Sequence, residues 1–275
     1  MRRSRRFSGP VPGGLAAALI YLVAIFLFSE LRILATMSWR RRRRQVVERF
    51  MTVQGRRMIA TVHRFCGLRY TAETGAAGPL PRRFILLSNH QSLADIPMLV
   101  AAFPDHPPKF IAKRSLFRGI PTLSKCLRYG EHAAINRRGP FRPTRRALIR
   151  LAQLDRRPDP DSPYPPCSIA VFPEGTRSRN GSVARFYRAG TRVMAEQTGL
   201  PIVAVALDGG TAISRLGAFG NLSGIHYRIK VLAIYPPATD RHAVAAVLDD
   251  AHRIIARQVD AWQAPAGSAR RGAAP

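Results

Sequence analysis

Two short segments of the chain combine residue types that could carry out acid–base chemistry beside an anionic group. In the first, His90 is followed by Asp95 five positions later. The second, residues 172–178, reads Phe-Pro-Glu-Gly-Thr-Arg-Ser and includes Glu174 and Arg177. A histidine next to a carboxylate can act as a general base, and a guanidinium group can bind a phosphate through two hydrogen bonds. The pair of segments therefore predicts an active site.

The position of His90 relative to Asp95 depends on where a helix begins. Residues 84–88 are mostly apolar and predict a buried strand, so His90 would lie just beyond its carboxyl end, where ligands bind in α/β sheets. Within one regular helix, the two side chains would point roughly 140° apart. We therefore expect His90 in a turn and Asp95 at the start of the helix, with Pro97 in its first turn. The alternative is that Ser92 and Asp95 form only a capping box.

The second segment also follows a predicted buried strand, residues 168–172. Gly175 would let the backbone approach a ligand, Glu174 can accept hydrogen bonds from hydroxyl groups, and Arg177 can bind phosphate. With Thr176, these turn residues are candidates for contact with the substrate. Because both strands would end at the same edge of a sheet, the two segments are expected to face one cleft. The alternative is an ordinary polar turn with a surface salt bridge.

The elements that would position these segments follow from hydrophobic patterning. The predicted strands are 84–88, 109–113, 133–136, 168–172, 202–208 and 227–234. The predicted helices of the same region are 95–103, 143–154, 189–198 and 240–262. Strands separated by helices predict an α/β fold with a largely parallel or mixed sheet flanked by helices.

The N-terminal region has the composition of a membrane-associated segment. Residues 13–29 carry no charge, and arginine occupies every position of 40–44. We predict a membrane segment over about 13–37, which would either span the bilayer with little tilt or insert as a shallow hairpin. The arginines would resist translocation, which disfavours a cleaved signal peptide and favours a catalytic domain on the cytoplasmic side of the membrane. An amphipathic basic helix is expected over 45–68, packed on the domain or lying at the membrane interface.

The chain is therefore interpreted as three parts. Residues 1–68 hold the basic N-terminus, the membrane segment and the amphipathic helix, and 69–263 form the catalytic domain. Residues 264–275, rich in Ala, Gly and Pro, are expected to be disordered. With 275 residues and 46% apolar composition, the chain is long enough for one domain with a substantial core.

The net charge of +28 favours an anionic partner. The position of the arginine block after an apolar segment favours anionic membrane lipids, and no nucleic-acid-binding module is recognised, so nucleic acid is not expected as a partner. The three cysteines, Cys66, Cys126 and Cys167, are far apart in the chain. Their spacing predicts neither a disulfide framework nor a zinc site.

These motifs resemble those of the glycerolipid acyltransferase family, which includes the bacterial 1-acylglycerol-3-phosphate (lysophosphatidate) acyltransferases. His90 and Asp95 match the family's His-x4-Asp motif, and residues 172–178 match its Phe-Pro-Glu-Gly-Thr-Arg-Ser motif without a change. Residues 112–137 resemble the family's second block. The resemblance extends over about 84–208.

The resemblance implies transfer of a fatty acyl chain from acyl-CoA or an acyl carrier protein to the sn-2 hydroxyl of 1-acylglycerol 3-phosphate, with no metal or other cofactor. His90 would deprotonate the hydroxyl, and Asp95 would support the imidazolium that forms. The residues implied in holding the acceptor are Lys113, Arg137 and Arg177 for its phosphate and Glu174 for its glycerol. The oxyanion would be stabilised by N–H groups of the 88–92 turn or of nearby backbone.

Several alternatives remain open from sequence. The acceptor could instead be glycerol 3-phosphate or a lyso-ornithine lipid. An acyl-enzyme could form on Ser92, although no Gly-x-Ser-x-Gly elbow exposes it. The protein could also be a membrane-anchored basic binding protein without catalysis. The arginines between 142 and 150 are either a solvated basic face or a contact for anionic lipid or for the phosphates of the acyl donor.

Overall fold

The structure is a computed structural model that describes residues 43–136, 139–154, 166–216 and 222–264, together with isolated residues between 20 and 35. Most of the predicted membrane segment, Arg137 and the tail from 265 onward lie outside the described residues. Among the residues that are described, no helix is both long enough and apolar enough to cross a membrane.

Helices and strands alternate along the described chain. The strands are β1 (Arg69–Glu73), β2 (Ile85–Ser88), β3 (Pro108–Lys113), β4 (Ala133–Ile135), β5 (Ser168–Val171), β6 (Ile202–Asp208) and β7 (His226–Tyr235). The helices are α1 (Arg43–Cys66), α2 (Asp95–Ala102), α3 (Leu123–Tyr129), α4 (Phe141–Gln153), α5 (Arg188–Thr198), α6 (Gly210–Leu216) and α7 (Arg241–Gln263), with a 3-10 helix over Arg114–Phe117. Every strand and helix predicted above within this part is present, with ends that differ by no more than two residues.

The strands of the described chain form one sheet in the order β1-β7-β6-β2-β5-β3-β4. Neighbouring strands are parallel except for β6 and β7, which are antiparallel. Between β6 and β7, the described residues of the connection form the short helix α6. The prediction of an α/β fold with a largely parallel or mixed sheet flanked by helices is confirmed.

Four elements of the described fold are missing from the prediction, and one of them is the 3-10 helix Arg114–Phe117. The sequence of β1 shows no alternation of apolar and polar residues, and four of its five residues are exposed. This strand is defined by its pairing with β7. Helices α3 and α6 have seven residues each, which is too short for a helical periodicity to be distinguished.

The sheet is buried on both faces. Ile85 and Leu87 of β2 face a core that contains side chains of α4, α5 and α7. Leu86 faces a second core that contains side chains of α1 and α2. Burial on both sides explains why β2, β5 and β6 read as nearly continuous apolar runs.

Helix α1 packs on the domain and is held there by a buried ion pair. Glu48 of α1 pairs with Lys109 of β3, and the two side chains are 8% and 1% exposed. Lys109 also donates a hydrogen bond to the carbonyl oxygen of Gly130. Removing one partner of a buried ion pair typically costs about 3–5 kcal/mol. The pair therefore fixes the position at which α1 docks.

Candidate active site

The two segments singled out in the sequence meet at the carboxyl edge of the sheet. Strand β2 lies between β5 and β6 and is parallel to both. The turn after β2, which holds His90, is therefore next to the loop after β5, which holds residues 172–178. The two segments lie at the same edge of the sheet, as expected, because parallel neighbouring strands end at the same edge.

His90 and Asp95 form a buried hydrogen-bonded pair. His90 lies in the turn after β2, and Asp95 is the first residue of α2. Nδ1 of His90 is 2.7 Å from Oδ2 of Asp95. Because a carboxylate accepts hydrogen bonds, this contact places a proton on Nδ1 and leaves Nε2 as the basic nitrogen of the neutral ring. Asp95 is fully buried, whereas His90 is 9% exposed.

Three further donors surround the Asp95 carboxylate. Oδ2 accepts the backbone N–H groups of Gln91 at 2.7 Å and Ser92 at 2.9 Å. Oδ1 accepts the hydroxyl of Tyr227 at 2.6 Å. A fully buried carboxylate is stable as an ion only when its oxygens are satisfied in this way. The bonds from Gln91 and Ser92 fix the turn before α2, so the same carboxylate holds this turn and orients the imidazole.

Tyr227 extends the pair to strand β7. Burial, and after it the charge of Asp95, raise the pKa of Tyr227 well above its usual value. The phenol therefore stays protonated and remains a donor to Asp95 at any pH the protein tolerates. Sequence analysis does not identify this residue, because it lies 132 positions from Asp95 and belongs to no local motif.

Glu174 connects the two motifs. Its Oε1 accepts the backbone N–H of His90 at 2.7 Å, and its Oε2 accepts the backbone N–H of Ala184 at 3.0 Å. The side chain is 2% exposed, and burial raises the pKa of Glu174 while both backbone hydrogen bonds lower it. The geometry gives Glu174 a positioning role at His90. Its expected contact with the glycerol of an acceptor stays a prediction, and both of its oxygens already have backbone partners.

A backbone hydrogen bond places Arg177 next to the histidine. The N–H of Ser178 donates to the carbonyl oxygen of His90 at 2.7 Å. Gly175 has a φ of +65°, which side chains with a Cβ rarely adopt, so the turn depends on glycine. Gly175, Thr176 and Arg177 are all exposed. This part of the loop is therefore accessible to a ligand beside His90.

The other predicted acceptor contacts differ in their placement. Lys113 is exposed at the carboxyl end of β3, next to β5, and thus lies on the same edge of the sheet as Arg177. Arg137 lies outside the described residues. The predicted substrate contacts that the structure brings to this edge are Lys113, Gly175, Thr176 and Arg177.

A stack of rings supports the imidazole from one side. The ring centroids of His90 and Phe172 are 4.1 Å apart, with an interplanar angle of 16°. Phe172 stacks on Phe110 at 6.4 Å, and Phe110 stacks on His132 at 5.7 Å. These contacts cover one face of the catalytic candidate and limit the rotation of its ring.

Two buried amides fix the turn against β6. Asn89 donates from Nδ2 to the carbonyl oxygen of Leu207 at 2.9 Å and accepts the N–H of Leu207 at 2.8 Å. Gln91 accepts the N–H of Gly210 at 3.0 Å and donates to the carbonyl oxygen of Gly181 at 3.0 Å. Both side chains are almost fully buried. The turn that carries His90 is therefore rigidly preorganised.

The structure limits which backbone N–H groups could stabilise the oxyanion. The backbone N–H groups of His90, Gln91 and Ser92 already donate to Glu174 or Asp95. These three groups of the 88–92 turn are therefore not available as oxyanion donors.

The hydroxyl of Ser92 accepts a hydrogen bond from that of Ser214 at 2.9 Å. Within the described ranges, no cluster of three or more metal-ligating side chains occurs.

Comparison with a family model places this site within a known domain. The acyltransferase family model matches residues 67–208, which is slightly more than half of the chain. Both motifs lie inside this match.

Individual relatives agree with that assignment. A chloroplastic 1-acyl-sn-glycerol-3-phosphate acyltransferase of Brassica napus is 30% identical over 152 residues, which cover 55% of this chain and 40% of that protein. The human 1-acyl-sn-glycerol-3-phosphate acyltransferase beta is 27% identical over 192 residues, which cover 70% of this chain and 65% of that protein. The chain thus spans less than two thirds of the length of these curated relatives.

A solved structure has the same fold. The crystal structure of the 1-acyl-sn-glycerophosphate acyltransferase PlsC from Thermotoga maritima superposes with a TM-score of 0.64 at 21% sequence identity. The match covers 91% of this chain and 95% of that chain.

Proposed function

Because this chain belongs to the acyltransferase family, we propose that it transfers a fatty acyl chain from an acyl thioester to the sn-2 hydroxyl of 1-acylglycerol 3-phosphate, giving phosphatidate. The donor is acyl-CoA or an acyl carrier protein. The observation that carries the proposal is the buried pair of His90 and Asp95, with Nδ1 and Oδ2 at 2.7 Å, beside the exposed Arg177. The names of the relatives support the choice of acceptor.

In the proposed reaction, His90 is the general base. Its Nε2 removes the proton of the acceptor hydroxyl while the hydroxyl oxygen attacks the thioester carbonyl carbon. The new C–O bond gives a tetrahedral oxyanion, whose collapse breaks the C–S bond. The imidazolium then returns its proton to the departing thiolate sulfur. Asp95 stabilises the imidazolium through its bond to Nδ1, so that the positive charge forms beside a fixed negative one.

The acceptor phosphate is held by cations at the same edge of the sheet. Arg177 precedes Ser178, whose N–H is bonded to the carbonyl oxygen of His90, so a phosphate on Arg177 places the adjacent glycerol near the imidazole. Lys113 supplies a second charge in this proposal, and Arg137 a third. Glu174 holds the backbone of His90.

The acceptor is a lipid, and membrane association is part of the proposal. Helix α1 buries its acidic residue Glu48 and exposes a row of basic ones. The exposed arginines of α1 are Arg49, Arg56, Arg57 and Arg64. An arginine near an anionic lipid surface contributes about 1 kcal/mol of binding free energy. Together with the apolar segment predicted over 13–37, this face supports attachment to anionic lipids on the cytoplasmic side of the membrane.

Replacing Arg177 with alanine tests how the acceptor is bound. We expect the KM for 1-acylglycerol 3-phosphate to rise by about 10- to 100-fold, because a charge-assisted hydrogen bond of roughly 1.5–3 kcal/mol is lost. The KM for the acyl donor should be unchanged. Initial rates in membranes containing the variant measure both constants.

The matched control is Arg241→Ala, which removes an exposed arginine at the amino end of α7. Glycerol 3-phosphate and a lyso-ornithine lipid serve as parallel acceptors. Transfer confined to the lyso-ornithine lipid, with no dependence on Arg177, would refute the proposed acceptor.

Replacing Tyr227 with phenylalanine tests the support of Asp95. The variant removes one donor to a buried carboxylate, so we expect kcat to fall about tenfold with the KM of both substrates unchanged. Tyr70→Phe is the control, since Tyr70 stacks on Tyr227 at 6.4 Å but donates to the carbonyl oxygen of Met98. An equal fall in kcat in both variants would mean that a loss of packing in this core, rather than the bond to Asp95, causes the effect.

A further inference from the structure

A groove of about 370 Å³ lies beside β4, at the edge of the sheet. One wall is formed by residues 131–134, and the other is formed by helix α4. The residues of α4 that line it are Pro143, Arg146, Ala147, Arg150 and Leu151. Arg146 and Arg150 are four positions apart and therefore lie on one face of the helix. The groove presents two adjacent guanidinium groups to a ligand.

No carboxylate in the described part of the chain is paired with the two arginines of the groove. In the described part of the chain, neither Arg146 nor Arg150 lies within 4.0 Å of a carboxylate oxygen. The one acidic residue of the lining, Glu131, has an oxygen 3.9 Å from Nη1 of Arg44. The groove therefore carries net positive charge and favours an anion.

His132 is a buried residue of the lining. Its Nδ1 accepts the backbone N–H of Phe110 at 2.9 Å, which fixes the ring against β3. The groups of the lining that can reach a ligand and carry a positive charge are therefore the two guanidinium groups. Two adjacent guanidinium groups suit a ligand with several anionic oxygens.

The groove lies at the level of the catalytic edge. Ala133 of β4 pairs with Ile111, one residue beyond the point at which β3 pairs with Ala170 of β5. Strand β4 therefore begins where β5 ends, and the loop after β5 carries Arg177.

The ring stack sets an upper limit on the distance from His132, in the groove lining, to the catalytic candidate. It joins His132 to His90 in three steps, with centroid separations of 5.7, 6.4 and 4.1 Å. The distance between the two imidazoles cannot exceed the sum of these steps. The arm of coenzyme A between its sulfur and its first phosphorus reaches roughly 15 Å when extended at about 3.5 Å per peptide-sized unit. The upper limit set by the ring stack is similar to the length of the extended arm.

We propose that the groove between β4 and α4 binds the phosphate groups of acyl-CoA, with Arg146 and Arg150 as ligands, while the thioester lies at His90. This inference rests on the proposed function and identifies its donor as acyl-CoA. Bidentate contacts of arginine with phosphate give the groove its selectivity for the nucleotide end of the donor.

The test compares two double variants of α4 in the full-length protein. Arg146→Ala/Arg150→Ala removes the two groove arginines, and Arg142→Ala/Arg145→Ala removes two exposed arginines of the same helix that do not line the groove. We expect the first variant to raise the KM for acyl-CoA at least tenfold and to leave the KM for lysophosphatidate unchanged. The second should change neither constant by more than about twofold, because its charges lie off the groove. Acyl-pantetheine, which lacks the phosphates, should be used equally well by both variants.

Binding of free coenzyme A, measured by calorimetry, tests the groove even without turnover. The wild type should bind coenzyme A at least tenfold more tightly than Arg146→Ala/Arg150→Ala. Equal weakening in the two double variants would overturn the inference in favour of a general electrostatic attraction. The inference would also be overturned if Arg146→Ala/Arg150→Ala raised the KM for an acylated acyl carrier protein and left the KM for acyl-CoA unchanged. Failure of the wild type to acylate lysophosphatidate, with coenzyme A binding intact and dependent on Arg146 and Arg150, would refute the proposed function and not the groove.

Discussion

Replacing His90 with alanine is expected to lower kcat for acyl transfer by about 10³-fold, because the variant lacks the base that takes the proton of the acceptor hydroxyl in the proposed reaction. General-base catalysis contributes about 10²–10⁴-fold in enzymes. The KM for lysophosphatidate should change little, since Arg177 and the loop after β5 remain in place. Steady-state rates of wild type and variant in the same membranes give both constants.

A control separates loss of the base from loss of structure. His242→Ala removes an exposed imidazole at the start of α7 and should leave kcat unchanged. His90→Ala should unfold at a lower temperature than the wild type, because its ring no longer donates to Asp95 or stacks on Phe172. It should still fold, because the bond from the backbone N–H of residue 90 to Glu174 does not need the side chain, and circular dichroism checks this. Full activity of His90→Ala would contradict the assignment of the base.

Replacing Asp95 with asparagine is expected to lower kcat by about 10²–10⁴-fold. Oδ2 accepts hydrogen bonds from the imidazole and from the N–H groups of Gln91 and Ser92. If the amide oxygen takes the place of Oδ2, it can accept the same three bonds but carries no full negative charge, so the imidazolium of His90 is no longer stabilised. If the amide is turned the other way, its nitrogen faces these donors and cannot accept the proton on Nδ1, so His90 also loses its orientation. We expect the KM values to stay close to those of the wild type.

Asp249→Asn is the matched control for this substitution. Asp249 forms an exposed ion pair with Arg188 at 2.8 Å, and exposed pairs contribute little to stability. This variant should retain wild-type kcat. A kcat for Asp95→Asn within about twofold of the wild type would mean that the carboxylate only holds the turn before α2.

The relation between His90 and Asp95 is predictable from sequence because it is local. A five-residue spacing across a strand end and a helix start leaves few backbone geometries, and the requirement that the two side chains meet excludes a continuous helix. The meeting of this turn with residues 172–178 is also predictable, since two buried strands with motifs at their ends imply one parallel sheet. The residues matched by the acyltransferase family model, 67–208, include both motifs.

The partners that complete the site are tertiary and leave no local pattern. Tyr227 reaches Asp95 from β7, and its place in a buried strand of a two-sided core looks in sequence like any apolar position. Glu174 belongs to a motif that suggests contact with substrate, but its oxygens accept the backbone N–H groups of His90 and Ala184. A carboxylate in a turn has the same sequence signature in both roles. The stack of Phe172 on His90 likewise depends on adjacent loops rather than spacing.

The direction of β7 also cannot be read from the chain. The connection between β6 and β7 is long enough for a parallel or an antiparallel neighbour, so its length does not decide the direction. The antiparallel pairing brings Tyr227 to the same edge as Asp95. This choice of direction therefore determines part of the site.

The measurement that tests the account most directly is the identity of the product formed from acyl-CoA and 1-acylglycerol 3-phosphate. Membranes containing the wild type, His90→Ala or His242→Ala would be incubated with both substrates, and the lipids would be resolved by mass spectrometry. The account predicts phosphatidate acylated at sn-2 with the wild type and with His242→Ala, and about 10³-fold less with His90→Ala. Equal formation of phosphatidate by His90→Ala and the wild type would contradict it, as would the absence of any acylated product with the wild type and either donor.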